Sequence, residues 1–240
     1  MGRPPSPLLS RDEYYERWAD LHGGHDPRSS RMTSVWLGAM YRLARPIAAI
    51  GTPPDAVTVA GVAVSTAAVA AAAQGGRWVL LAAVLVALSG AVDNVDGAVA
   101  VMTQRTTRWG YVLDSLVDRI SDALYLLALW LVGAPAAVCV AAGALMGLQE
   151  YTRARAGQAG MTGIGVVTVW ERPTRVIATA MFLLGAGIYL DDAAGWATAG
   201  ALVWAVLGVV GFVQIVVVVR RRLTAAGEQP ERPQDPEPSA

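Results

Sequence analysis

Six apolar segments, each about 17–25 residues long, occupy most of the chain after residue 50. A helix of that length crosses about 30 Å of hydrocarbon and satisfies its own backbone hydrogen bonds in lipid. Hydrophobic residues make up 54% of the chain and charged residues 16%, a membrane-like balance. The sequence therefore predicts an all-α membrane protein with six transmembrane helices, near residues 55–74, 78–100, 110–132, 134–152, 174–190 and 196–219.

Arginines are distributed unevenly among the segments that connect these spans. With the N-terminus inside, the outer segments hold only Arg77. The inner segments hold Arg105, Arg108, Arg153, Arg155, Arg172, Arg220, Arg221 and Arg222. Because positively charged loops stay on the cytoplasmic side, we expect a plasma-membrane protein with both termini in the cytoplasm. The net charge is zero, so no nucleic-acid partner is expected.

The two ends of the chain differ from its apolar middle. Residues 1–30 are polar, and we expect them to be partly ordered at best. Residues 31–50 are predicted to form an interfacial amphipathic helix that ends or kinks at Pro46. Asp55 is the predicted N-cap of the first span, and residues 223–240 form a predicted disordered tail. One face of the interfacial helix carries Met32, Trp36, Met40, Leu43 and Ile47.

Four aspartates lie within or at the ends of the second and third spans. Asp93 and Asp96 are three residues apart, and Asp114 and Asp118 are four apart, so each pair shares a helical face. A carboxylate at such a depth costs several kcal/mol, so it is rarely present without a function. If the two faces meet, their oxygens suit a hard divalent cation. A cation transporter is an alternative, although these aspartates cluster at one membrane face instead of marking a path across.

The same aspartates belong to a longer pattern with fixed spacing. Asp93-x-x-Asp96-Gly97-x-x-Ala100 is followed by Gly110-x-x-x-Asp114-x-x-x-Asp118. This pattern resembles the signature of the CDP-alcohol phosphatidyltransferase family, and the resemblance covers roughly residues 31–220, with residues 51–222 as the six-helix domain. One position departs from the signature, because Val101 stands where the family has an arginine after the alanine.

The resemblance implies a transferase of phospholipid biosynthesis that moves a phosphatidyl group from CDP-diacylglycerol to a small alcohol or alcohol phosphate and releases CMP. It implies two Mg²⁺ or Mn²⁺ ions held by Asp93, Asp96, Asp114 and Asp118, with Asp118 also the general base. It further implies a homodimer. The nucleotide would lie against the small residues Gly97, Ala100 and Gly110. Arg105 or Arg108 would compensate for the missing arginine at position 101, or Val101 would mark either an altered handling of the donor or a catalytically weak member that acts as a scaffold.

A second cluster of charges follows the fourth span and precedes the fifth. These segments, together with Asp118-Arg119-Ile120-Ser121-Asp122, resemble the family's actinobacterial phosphatidylinositol-phosphate synthases. The resemblance implies that Arg119, Arg153 and Arg172 bind the phosphate of an acceptor such as inositol phosphate or glycerol 3-phosphate, since guanidinium groups bind phosphate in a bidentate manner. For Arg155 and Arg175, a role in setting the topology or in contacting anionic lipids is as plausible as phosphate binding. Glu150 and Glu171 are expected only to pair with nearby arginines.

Overall fold

A computed structural model describes residues 8–21, 23–161 and 167–227, and these residues contain helices and no strand. Two short 3-10 turns, Pro27–Ser29 and Leu190–Asp192, accompany the α-helices. The α-helices are α1 (Arg11–Leu21), α2 (Arg31–Ala49), α3 (Pro54–Gln74), α4 (Trp78–Met102), α5 (Arg108–Val132), α6 (Ala136–Gln158), α7 (Arg172–Ile188) and α8 (Ala193–Gly227). The all-α prediction is confirmed, and α3 to α8 lie close to the six predicted apolar spans.

Within the residues that the structure describes, three segments are long and apolar enough to cross a membrane by length and composition alone. They are α3, α4 and the stretch Leu190–Ala225, which contains most of α8. The helices α5, α6 and α7 contain the charged residues discussed below, which lower their hydropathy. The protein is thus an all-α membrane protein by its composition and helix lengths.

Close helix packing depends on small residues, as is usual where helices associate in lipid. The helix α3 packs on α4 and α5, α4 packs on α7, and α8 packs on α6 and α7. A Cβ atom added to Gly90 would lie 2.8 Å from Cγ1 of Val176, and one added to Gly187 would lie 2.8 Å from the backbone nitrogen of Leu80. Any larger residue at these two positions would therefore push α4 and α7 apart.

The N-terminal region is more ordered than its polar composition predicts. Helix α1 begins with a capping box, in which the Ser10 backbone N–H donates to Glu13 (2.7 Å) and the Glu13 backbone N–H donates to Ser10 Oγ (3.4 Å). These hydrogen bonds favour the carboxylate and hold the pKa of Glu13 below its usual value. The expectation of partial order is therefore wrong for Arg11–Leu21, because the capping box and the packing of α1 against α2 and α4 stabilise a helix.

Three smaller expectations also need correction. Of the two effects expected of Pro46, an end of the helix is wrong, because α2 continues to Ala49 with Pro46 inside it. Pro53 is the N-cap of α3 and Asp55 is its second residue, because the fixed φ of Pro54 suits the first helical position. Helix α8 continues to Gly227, so the predicted disorder is wrong for residues 223–227, and residues 228–240 lie outside the described part of the chain.

Candidate active site

Three of the four predicted metal ligands converge between α4 and α5. Asp93 on α4 and Asp114 and Asp118 on α5 each offer a carboxylate oxygen within 4.8 Å of the others. The spacing of four residues places Asp114 and Asp118 on one face of α5, and the turn at residues 103–107 returns the chain so that this face meets Asp93. Three hard oxygen donors at this separation fit a divalent cation.

Asp96 is not part of that group, although the sequence predicts it as a fourth ligand. It is 5% exposed and lies one helical turn after Asp93, on the wall of the adjacent cavity. Its Oδ2 atom is buried and has no hydrogen-bond partner within the described ranges. An orphaned buried carboxylate oxygen is costly, so Asp96 also fits a cation ligand.

Arg172 joins the aspartates from α7. Its Nε atom lies 3.0 Å from Asp93 Oδ2 and 2.8 Å from Asp118 Oδ1, and its Nη1 atom donates to the Asp118 carbonyl oxygen at 3.0 Å. The guanidinium therefore compensates two of the three converging carboxylates. The sequence predicts Arg172 as a ligand of the acceptor phosphate, and the structure places it directly beside the carboxylates.

A buried network of ion pairs continues from Arg172 away from the aspartates. Asp122 is fully buried and pairs with Arg175, which is 1% exposed, and with Arg172 at 3.6 Å. Arg175 Nη2 also donates to Glu150 Oε1 at 2.9 Å, so a single salt-bridge network links α5, α6 and α7. Neither Asp122 nor Arg175 was predicted as a site residue. The spacing of four residues from Asp118 to Asp122 was the available signal.

The other two predicted phosphate-binding arginines belong to the same network. Arg119 Nη1 lies 2.8 Å from Glu150 Oε1, and Arg153 Nη1 lies 3.0 Å from Glu150 Oε2. Arg153 Nη2 also pairs with Glu171 at 2.7 Å. Glu150 and Glu171 thus pair with arginines, as expected. Arg119 and Arg172 thus contact Asp118 directly, and Arg153 joins the same network through Glu150.

A cavity of about 540 Å³ adjoins the aspartates. Four of the five predicted nucleotide-binding residues line it, namely Gly97, Ala100, Arg105 and Gly110, whereas Arg108 is not among its lining residues. A Cβ atom added to Gly97 would meet no atom within 4 Å, so the glycine leaves open space in the wall. Gly110 has a structural reason to be small, because its N–H donates to the N-cap Thr107 at 2.8 Å and an added Cβ would lie 3.1 Å from Thr107 Oγ1.

The turn after α4 brings Arg105 to this cavity. Gln104 adopts a left-handed conformation (φ 53°), and the Arg105 N–H donates to the Ala100 carbonyl oxygen at 2.9 Å, which closes the helix. Val101, which replaces the family arginine, is 7% exposed and packs in an apolar cluster with Met40 and Met102. Arg105, four residues after Val101, is the arginine among the described residues that line this cavity.

Comparison with known proteins agrees with the site geometry. Residues 51–211 match the family model described as CDP-alcohol phosphatidyltransferase. The chain belongs to the CDP-alcohol phosphatidyltransferase family. It is accordingly a membrane transferase of phospholipid biosynthesis, and the resemblance inferred from the aspartate pattern is confirmed.

Several members of this family are similar over most of their length. The archaetidylinositol phosphate synthase of Aeropyrum pernix is 36% identical over 170 residues, which cover 67% of this chain and 79% of that protein. The phosphatidylinositol phosphate synthase of Corynebacterium glutamicum is 34% identical over 163 residues, which cover 62% of this chain and 66% of that protein. The first relative is named for archaetidylinositol phosphate and the second for phosphatidylinositol phosphate.

Solved structures of the phosphatidylinositol phosphate synthase of Mycobacterium tuberculosis share the fold. The complex with manganese and citrate superposes with a TM-score of 0.64 at 26% identity, covering 75% of this chain and 88% of that chain. The structure with bound CDP-DAG has a TM-score of 0.59 at 28% identity and covers 75% of this chain and 92% of that one. The Mycobacterium tuberculosis protein therefore binds manganese and CDP-DAG on a similar fold.

Proposed function

We propose that the protein transfers the phosphatidyl group of CDP-diacylglycerol to a phosphorylated alcohol and releases CMP, with inositol phosphate as the first candidate acceptor and glycerol 3-phosphate as the second. The observation that carries this proposal is the placement of three carboxylates between a cavity of about 540 Å³ and a cluster of arginines. A metal-dependent transfer between two phosphate-bearing substrates needs those three parts side by side. The names of the relatives support the inositol phosphate acceptor.

The aspartates would hold the metal. Asp93, Asp114 and Asp118 converge, and the unpartnered Oδ2 of Asp96 supplies a further ligand for a second ion, so the set suits two Mg²⁺ or Mn²⁺ ions. Such ions, when bound, neutralise the diphosphate of the donor and stabilise the departing CMP. Manganese in the related structure supports this assignment.

Asp118 would take the proton from the acceptor hydroxyl. It lies at the junction between the aspartate group and Arg172, whose Nε atom is 2.8 Å from its Oδ1. A general base must lie within hydrogen-bond reach of the proton it removes, and Asp118 is the predicted ligand nearest to the arginine cluster along α5. Proton transfer to Asp118 leaves the acceptor oxygen free to attack the phosphorus that carries the diacylglycerol.

The two substrates would occupy opposite sides of the aspartates. On the cavity side, Gly97 and Ala100 leave room for the nucleotide, and Gly110 is part of the same wall. Arg105, which lines the cavity, binds the donor phosphates in preference to Arg108, which does not line it. On the other side, Arg119, Arg153 and Arg172 would bind the acceptor phosphate. Each guanidinium has five donors, so these arginines can bind a phosphate and keep their carboxylate partners.

The membrane arrangement is part of the proposal. The six helices α3 to α8 would span the bilayer as the domain formed by residues 51–222, and α2 would lie at the interface. Exposed apolar side chains on α2, such as Met32 and Val35, support its contact with lipid. The arginine distribution supports a plasma-membrane protein with both termini and the site in the cytoplasm, and the small-residue helices allow a homodimer.

The test is CMP release by purified protein with CDP-diacylglycerol and Mg²⁺ or Mn²⁺. Inositol phosphate, glycerol 3-phosphate and unphosphorylated inositol should be compared as acceptors. We expect release with inositol phosphate and its loss in Asp118→Asn. Asp191→Asn, an exposed carboxylate in the turn before α8, should retain activity. No release with any acceptor by folded protein, or full activity of Asp118→Asn, would reject the proposal, and altered ion flux without CMP release would favour a transporter.

A further inference from the structure

The N-terminal helices contribute to the same cavity as the aspartates, although they precede the family match, which begins at residue 51. Helix α1 supplies two aromatic side chains to the cavity wall, Tyr14 and Trp18. Helix α2 supplies four more lining residues, which are Thr33, Trp36, Leu37 and Met40. This chain therefore builds part of the wall of the cavity that Asp96 and Gly97 also line from a segment that the family match does not include.

Several specific contacts hold α1 in this position. The Tyr15 hydroxyl donates to the Ser34 carbonyl oxygen at 2.8 Å, and Gly38 allows the close approach, since a Cβ there would lie 3.1 Å from that hydroxyl. The Leu9 N–H donates to the Met102 carbonyl oxygen at 3.3 Å, which ties the segment before α1 to the end of α4. Tyr14 and Tyr15 are both 2% exposed, so α1 is a packed wall of the site.

The charge of this wall suits a nucleotide donor. Burial raises the pKa of Tyr14 to about 12, with a smaller contribution from Tyr15, so its hydroxyl stays neutral. Trp18 packs partly against the apolar cluster that contains Tyr14 and Val101, and it also lines the cavity. An indole that is supported on one side and borders a cavity offers a rigid aromatic surface to a ligand.

The positions of the other groups decide which part of the donor reaches this surface. The diphosphate belongs beside Asp93, Asp114 and Arg105, which reach the cavity from α4, α5 and the turn between them. The acyl chains belong in lipid, and Met32, Val35 and Trp36 are exposed apolar side chains of α2 that line a second pocket together with Arg31 and Ala39. The nucleoside is the part of the donor that remains, and a planar base is well suited to an aromatic side chain.

We infer that α1 forms a wall of the donor site and that Trp18 is a binding residue for the pyrimidine base of the CDP-linked donor. The inference deepens the proposed function, on which it rests for the identity of the donor. A cavity of about 540 Å³ lies within the range of small-molecule sites. Trp18 acts on binding of the nucleotide and leaves the transfer of the phosphatidyl group to the aspartates.

The experiment is titration of the full-length protein with CMP in the presence of Mg²⁺, followed by steady-state kinetics. Stacking of a base on an aromatic side chain predicts that Trp18→Ala weakens CMP binding by about 5- to 150-fold. The KM for CDP-diacylglycerol should rise by a similar factor, while kcat at saturating donor and the KM for the acceptor stay within about twofold. Trp18→Phe, which keeps an aromatic ring, should restore most of the CMP affinity and controls for misfolding of α1.

Trp78→Ala is the matched control, because Trp78 is exposed and begins α4, the end of that helix remote from Asp93. Unchanged CMP affinity in Trp18→Ala would overturn the inference and leave the proposed function intact. The same conclusion would follow if the wild-type protein released CMP from the donor but did not bind added CMP. Wild-type protein that binds CMP through Trp18 but transfers no phosphatidyl group would reject the proposed function and support the inference.

Discussion

Replacing Asp122 with Asn tests how much the buried ion-pair network contributes to the stability of the fold. Asp122 is fully buried, pairs with Arg175, and lies 3.6 Å from both Arg119 and Arg172. Asparagine has nearly the same shape, so the change removes the charge and creates no cavity. After the change, the buried guanidinium of Arg175, which is 1% exposed, no longer pairs with a carboxylate at position 122.

The remaining contacts of Arg175 limit the loss of folding free energy that Asp122→Asn causes. Breaking a buried ion pair by removing one partner costs about 3–5 kcal/mol. Arg175 keeps its contact with Glu150 at 2.9 Å and with the Trp170 carbonyl oxygen at 3.2 Å, so we expect the lower end, about 3 kcal/mol. For a chain of this length, that corresponds to a decrease in Tm of roughly 6–12 °C.

The assay is thermal unfolding of the purified protein in detergent, with Asp191→Asn as a control in which an exposed carboxylate is neutralised. The double variant Asp122→Leu with Arg175→Met should be more stable than either single variant, because it removes both charges together. A Tm within about 2 °C of wild type for Asp122→Asn would refute the reasoning. Additive losses in the double variant would show that the two side chains do not depend on each other.

Two further predictions concern the cavity. Gly97→Ala should leave the Tm unchanged or raise it slightly, since the added Cβ meets no atom within 4 Å, while CMP binding weakens by about 1–3 kcal/mol through crowding of the nucleotide. Gly147→Ala on α6 is the control, because the added Cβ there also meets no atom within 4 Å. It should have the same Tm as Gly97→Ala and bind CMP as the wild type does. Equal CMP affinity in the two variants would contradict the role of Gly97. Val101→Arg should lower both Tm and CMP release, because Val101 is 7% exposed within the apolar cluster that contains Tyr14 and Met40. A sharp rise in CMP release would instead support the alternative that Val101 marks a weakened enzyme.

The sequence was sufficient to predict the helical framework. Long apolar runs determine where spans begin and end, so the second predicted span, residues 78–100, agrees closely with α4 (Trp78–Met102). The end of α6 was harder to predict: residues 134–152 were expected, but the helix continues to Gln158, because Arg153 and Arg155 extend it beyond the apolar run. Helix α1 has no such run, and its only local signal was the capping box from Ser10 to Glu13.

The sequence by itself determined the convergence of Asp114 and Asp118 and the family to which the chain belongs, since side chains four residues apart share one face of a helix. Only the tertiary structure decided that Arg172 lies against Asp93, 79 residues earlier, and that Asp122 pairs with Arg175, 53 residues later. It also decided that Arg105, and not Arg108, lines the cavity together with Trp18 of α1. Periodicity describes one helix at a time, whereas these contacts depend on how closely α1, α4, α5 and α7 pack around their small residues.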